Sequence, residues 1–245
     1  MKNKFVFVVA LYNVENWIRK TIRSVLLQEY DNYRCIIVDD LSTDKSAQII
    51  KKMIDNNEKF TFIENTEKKY SLRNIYEAIH NHTHDDEIVV ILDGDDFLFE
   101  KGVLNRLNDI YNEKKCLLTY GSYINLSDKM KGKFSKKVPN YIVESNNFRN
   151  YEWCTSHLRT FKSSLFKKIN KEDLCDEEGN FYTMAGDLAI MFPMLEMSSE
   201  RSVYIDKILH IWNDLNELNE HKQDNRKQIG IEKIIRNGKK YDRID

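Results

Sequence analysis

Four strand-like runs, FVFVVAL (5–11), YRCIIVDD (33–40), KFTFIEN (59–65) and EIVVILDGDD (87–96), are separated by segments whose apolar residues recur at helical spacing. Val14, Trp17, Ile18, Val25 and Leu26 follow the first run, and Leu72, Ile75, Tyr76 and Ile79 the third. Val103, Leu104, Leu107, Ile110 and Tyr111 follow the fourth, while STDKSAQIIKKMI after the second opens with Ser, Thr and Asp as helix caps. A continuous apolar run belongs to a strand buried on both faces. Strand and helix alternating in this way specify an α/β fold with a mostly parallel central sheet flanked by helices. Ligands of such sheets bind beyond the carboxyl ends of the strands. Here those ends carry Tyr12 and Asn13, Asp39 and Asp40, and the cluster Asp93–Gly94–Asp95–Asp96. Polar and acidic residues therefore gather on one rim.

The last cluster is the most demanding. Two carboxylates ~4 Å apart repel by about 4 kcal/mol at an effective dielectric near 20. An acidic turn in open water tolerates that, but an all-apolar strand ends inside the sheet, where charges need a cation or hydrogen-bond donors. Carboxylate oxygens suit Mg²⁺ or Mn²⁺, which bridge protein carboxylates to substrate phosphates, and Gly94 would let a phosphate approach the backbone. Asp39 ends its strand where a carboxylate can accept N–H groups from a nucleobase or satisfy the core. Asp40, Ser42, Thr43 and Asp44 read as caps of the following helix.

Composition narrows the partners. The chain has 245 residues, 31% charged, with a net charge of -1, and no Lys/Arg stripe marks a nucleic-acid footprint. Cys35, Cys116, Cys154 and Cys175 form no C-x-x-C pair and read as reduced thiols of a cytoplasmic protein. MKNKFVFVVALYN is too short and polar for a secretion signal, and no apolar stretch approaches the ~20 residues of a transmembrane helix. Peripheral contact with a membrane stays compatible with this reading.

Beyond CLLTYGSYINL the alternation stops. Residues 127–160 read as irregular, SSLFKKI and GDLAIMFPMLEM as helices, with Pro193 kinking or ending the first part of the second. RSVYIDKILHIW reads as one or two closing strands, and the polar end, weakly helical through Ile231, Ile234 and Ile235, as a tail or homo-oligomer contact.

ALYNVENWIRKTIRSVLLQEYDNYRCIIVDDLSTDKS followed by ILDGDDFL resembles the GT-A glycosyltransferases of the family 2 type, through four motifs in order over roughly the first 120 residues. The resemblance implies a single GT-A, Rossmann-like domain. Residues 1–126 would form its nucleotide-sugar-binding half, and 127–245 an acceptor-binding half with a helical tail. It implies inverting transfer of one sugar from a nucleoside-diphosphate sugar, by family habit a UDP-sugar, to a glycan, with Mn²⁺ or Mg²⁺ on the diphosphate. Tyr12 would lie against the nucleobase, Asp39 would hydrogen-bond it, and Asp93 would contact the ribose. Asp95 would coordinate the metal, with Asp96 supporting it and His210 as a further ligand; a satisfied core histidine is the alternative for His210. Asp187 would be the general base, though Gly186 stands where the family commonly has glutamate, and a helix-start cap is its other reading.

Other features read more plainly. HNHTHDDE is a solvated connection. Arg159 is an exposed helix charge, with a phosphate clamp as the alternative. Tyr151 and Trp153 are core residues or acceptor-stacking aromatics. QDNRK (223–227) imitates part of the Q-x-x-R-W signature of processive synthases and reads as chance. Competing classes are a non-enzymatic nucleotide- or glycan-binding module of the same fold and a haloacid-dehalogenase-type phosphatase. The second is disfavoured by Asp96 and Phe97, which break its motif. A receiver domain is disfavoured by length and missing lysine–threonine partners.

Overall fold

A computed structural model describes residues 2–244, the side chains of residues 220 and 221 excepted. The first half follows the alternation: β1 (Phe5–Leu11), α1 (Ile18–Leu26), β2 (Tyr33–Asp39), α2 (Ser46–Met53), β3 (Phe60–Glu64), α3 (Tyr70–His82), β4 (Ile88–Ile91), β5 (Phe97–Leu98) and α4 (Val103–Lys114). The second half adds β6 (Leu118–Asn125), α5 (Asn140–Glu144), β7 (Arg159–Lys162), α6 (Ser163–Phe166), α7 (Gly186–Ser198), β8 (Ser202–Trp212), α8 (Glu220–Gln223) and α9 (Asn225–Asn237).

The described strands form one sheet in the order β3-β2-β1-β4-β7-β6-β8-β5. β3, β2, β1 and β4 are mutually parallel, β7 enters antiparallel between β4 and β6, and β8 runs parallel to β6. Alternation of side chains along each strand divides the core into two layers. Val6, Val8, Ile36, Val38, Val89 and Ile91 face α3 and α7, whereas Phe5, Phe7, Val9, Ile37, Ile88 and Val90 face α1 and α4. β4 lies mid-sheet, so the acidic cluster begins at the sheet centre, as its apolar run implies.

Several expectations need correction. Pro193 does not end the helix: α7 runs on through it to Ser198, and almost all of α7 is buried. The C-terminal segment is no loose tail. Ile235 of α9 is buried, and Arg149, paired with the fully buried Glu196 at 2.6 Å, donates to the Ile235 carbonyl at 2.6 Å. The helix expected over SSLFKKI is a single turn, Ser163–Phe166, set directly after β7.

Candidate functional site

Parallel register brings the strand ends together. Leu11 pairs with Asp39, the Asp40 amide donates to the Leu11 carbonyl at 2.9 Å, and the Gly94 amide donates to the Ala10 carbonyl at 3.2 Å. A Cβ at position 94 would fall 2.4 Å from Leu11 Cβ. Gly94 is thus required by the end of β1, a closer constraint than the phosphate approach the sequence suggests.

β5 follows Asp96 at once and pairs antiparallel with β8, setting Leu98 opposite His210. That register delivers the His210 imidazole to Asp96, with Nε2 2.7 Å from Oδ2, while the Asn213 amide donates to Oδ1 at 2.7 Å. Both side chains are fully enclosed. Burial lowers the His210 imidazole to about 3 and raises Asp96 well above the carboxylate range. Asp95 turns the other way, accepting from Asn216 Nδ2 at 2.7 Å and Asn213 Nδ2 at 3.4 Å. Burial, and then the like charge of Asp96, pushes Asp95 up to about 8. Of the two residues proposed from sequence as metal ligands, Asp95 and His210, the second therefore contacts Asp96.

Arg159 overturns its reading as an exposed helix charge. It opens β7 opposite Ile91, is only 4% exposed, and reaches the carboxylates beyond β4. Nη1 lies 3.2 Å from Asp187 Oδ2, and Nη2 lies 4.0 Å from Asp93 Oδ2. Asp187 sits in the first turn of α7, and its Oδ1 also accepts the Leu188 amide at 2.9 Å. Arg159 Nη2 is 3.3 Å from His157 Nδ1, and the His157 ring stacks on His210 at 4.6 Å between centroids. A continuous chain of polar groups thus joins Asp187 and Asp93, through Arg159, His157 and His210, to Asp96.

Next to this chain, Lys68 Nζ lies 2.9 Å from the centre of the Tyr12 ring and 3.2 Å from Asp40 Oδ2. One face of Tyr12 is therefore covered by an ammonium group, and a nucleobase would take the other face or displace it. Asp39 Oδ1 accepts from the Ser42 amide and hydroxyl, and among the described residues its Oδ2 accepts no hydrogen bond. The capping reading of Asp40 fails: it accepts the Lys69 and Tyr70 amides at 2.7 and 2.9 Å, organising the start of α3 instead of α2. Ser42 and Ser46 accept the Asn13 and Val14 amides, so this loop is tied to the end of β1. Tyr151 and Trp153 pack against the core, Trp153 edge-on to Phe192. His80 and His82 belong to α3, and His80 Nδ1 pairs with the Tyr76 carbonyl.

Sequence reasoning missed the parts played by His157, Asn213, Asn216 and Lys68. Signals existed for some of them. TSHLRTFK puts His157 and Arg159 two residues apart, the spacing of one strand face, and NDLNELN repeats Asn213, Asn216 and Asn219 every three residues just after His210.

The residues fit a divalent cation. Asp95 and Asp96 are buried carboxylates whose hydrogen-bond partners among the described residues are amides and an imidazole, and His210 Nδ1 is buried without a hydrogen-bond partner among the described residues. Donor atoms of Asp96, His157 and His210 also lie within 4.8 Å of one another. The carboxylate oxygens suit Mn²⁺ or Mg²⁺.

Comparison with known proteins agrees with this architecture. The chain is 24% identical over 221 residues to glycosyltransferase GlyA of Streptococcus pneumoniae, covering 86% of this chain and 30% of that protein. Its fold matches that of Staphylococcus aureus TarS, residues 1–349, in complex with UDP-GlcNAc, with a TM-score of 0.68 at 19% identity over 90% of this chain and 61% of that one. It also matches the mannosyltransferase PcManGT of Pyrobaculum calidifontis in complex with GDP-Man and Mn²⁺, with a TM-score of 0.62 at 17% identity over 98% of this chain and 66% of that one. The fold is thus that of GT-A proteins. No helix among the described residues is long and apolar enough to cross a membrane. The family model described as glycosyl transferase family 2 matches residues 6–170, and the chain belongs to that family.

Proposed function

We propose that the chain transfers one sugar from a UDP-sugar to a hydroxyl of a glycan acceptor with inversion at the anomeric carbon. Residues 1–126 would hold the donor and 127–245 the acceptor. The observation that carries the reading is the shared guanidinium: Arg159 lies 3.2 Å from Asp187 and 4.0 Å from Asp93, so the carboxylate proposed as base stands beside the donor rim. The TarS and PcManGT complexes with UDP-GlcNAc and with GDP-Man and Mn²⁺ support a nucleotide-sugar donor and a divalent ion.

In this reading Tyr12 stacks on the base, Asp39 Oδ2 accepts its N–H, and Asp93 accepts a ribose hydroxyl. Asp187 takes the proton of the acceptor hydroxyl as that oxygen bonds to the anomeric carbon, and the breaking C–O bond leaves its electron pair on UDP. Arg159, 3.2 Å away, holds Asp187 in place. Asp95 and His210, backed by Asp96, would hold Mn²⁺ or Mg²⁺, which supplies positive charge to the departing diphosphate.

The test is donor turnover by Asp187→Asn, followed as UDP released from UDP-GlcNAc with a mixed glycan acceptor pool. UDP release and glycan labelling by the native chain, lost in the variant while UDP still binds, support the assignment. Undiminished transfer by the variant removes Asp187 as base. UDP binding without transfer by the native chain favours the non-enzymatic binding module.

A further inference from the structure

α3, the segment 176–183 and α9 enclose a groove of about 760 Å³ outside the acidic rim. That volume lies within the ~300–1,000 Å³ typical of ligand sites. Its charge is uneven: Lys68, Lys69, Arg73, Lys171 and Lys227 line it against Glu77 and Asp176. Lys69 and Arg73 each meet Glu77 at 2.8 Å, whereas Lys171 and Lys227 are exposed and form no ion pair with any described residue. Lys227 is the last residue of the QDNRK segment, which the donor site does not use.

The walls between these charges are aromatic. Phe181 lies under Lys171, with Nζ 5.5 Å from its ring, and Tyr70 is 47% exposed. The Tyr70 backbone has φ 62°, a left-handed conformation costly for a bulky residue. Asp40 Oδ2 maintains it by accepting the Tyr70 amide. Lys68 links the groove to the donor rim, standing 5.8 Å from the Tyr70 ring and 2.9 Å from the Tyr12 ring.

Resting on the donor-site reading, we propose that this groove binds the acceptor and that the acceptor is an anionic glycan. Its sugar rings lie on Tyr70 and Phe181, and its phosphate or carboxylate groups meet Lys171 and Lys227. Aromatic faces are sequence-tolerant platforms for sugar rings, and ammonium groups without a carboxylate partner are available to an anion. A neutral glycan would leave both lysines without a role.

Calorimetric titration tests this with three probes: a hexameric oligogalacturonide, a glycerol-phosphate oligomer of similar length, and maltohexaose. The native chain and the Lys171→Glu/Lys227→Glu variant are compared at low and at physiological salt, and both residues are exposed, so folding is preserved. The expected result is binding of at least one anionic oligomer, weakened about tenfold or more by the double substitution and by salt, with UDP affinity in Mn²⁺ unchanged. The carboxylate and phosphate arms identify the acidic group. Anionic binding indifferent to the substitutions, binding of maltohexaose at equal affinity, or no oligosaccharide binding by a chain that binds UDP would each overturn the proposal. Failure to bind UDP would instead count against the donor site, leaving the groove titration to be read separately.

Discussion

Arg159 and Asp187 form an ion pair 3.2 Å long between the first residue of β7 and the first turn of α7, joining the antiparallel strand beside β4 to the start of that buried helix. The same guanidinium also faces Asp93 and His157, so one side chain sets the spacing of three polar groups. Arg159→Gln is expected to lower kcat on the order of 10²-fold, because small displacements of a reacting group have that effect. UDP affinity should change far less. Arg159→Lys should not restore turnover, since a single ammonium cannot span both carboxylates. A loss confined to UDP affinity would assign Arg159 to the donor alone.

Gly94→Ala places a methyl group 2.4 Å from Leu11 Cβ at a point where both backbones are held by hydrogen bonds. Overpacking of this kind costs about 1–3 kcal/mol. For a chain of this size, Tm should fall by roughly 3–10 °C. UDP binding should weaken with it, since Asp93 and Asp95 flank the strained residue. An unchanged Tm would mean that the end of β1 yields more easily than its packing implies.

Glu87 gives stability a pH dependence remote from the rim. Burial favours its neutral form, but Arg34, the His84 amide and Lys4 outweigh burial and lower the carboxyl from 4.5 to about 2. The lowered value means that the stabilisation is complete above pH 4.5 and is lost as pH falls through about 2. The shift corresponds to about 3 kcal/mol. Urea unfolding of Glu87→Gln should show the variant less stable at pH 7, with the difference shrinking towards pH 3. A pH-independent difference would show that packing, and not charge, is lost.

Glu196→Ala should be more damaging. It leaves Arg149 buried without its partner and frees the Tyr241 amide, which donates to Glu196 at 3.0 Å. Breaking a buried pair from one side costs about 3–5 kcal/mol. Far-UV circular dichroism should lose α9 signal together with the main transition. Separate melting of the helix would show that α9 is not integral to the core.

The acidic rim is legible in the sequence because its information is local. Apolar runs fix β1, β2 and β4, and each run ends on the polar residues that the parallel register then aligns, so Tyr12, Asp39 and Asp93 could be placed together from order alone. The partners of those residues come from far along the chain. Arg159 meets Asp93 only because β7 inserts antiparallel beside β4, and Asn213 and Asn216 reach Asp95 only because β8 pairs with the two-residue β5. Such pairings depend on tertiary register, which a single sequence does not display. The role of Asp40 is hidden from the sequence for a related reason: helix caps are normally sought in the following turn, and its donors lie 29 and 30 residues away.

Calorimetric titration of UDP into the native chain and into Asp95→Asn, with and without Mn²⁺, addresses the central claim most directly. Removing one of two neighbouring buried carboxylates should leave the variant folded and at least as thermally stable as the native chain. If the rim holds a cation and the diphosphate it carries, native affinity should rise sharply with Mn²⁺, and the variant should lose that increment. Affinity that ignores both the metal and the substitution would contradict the account.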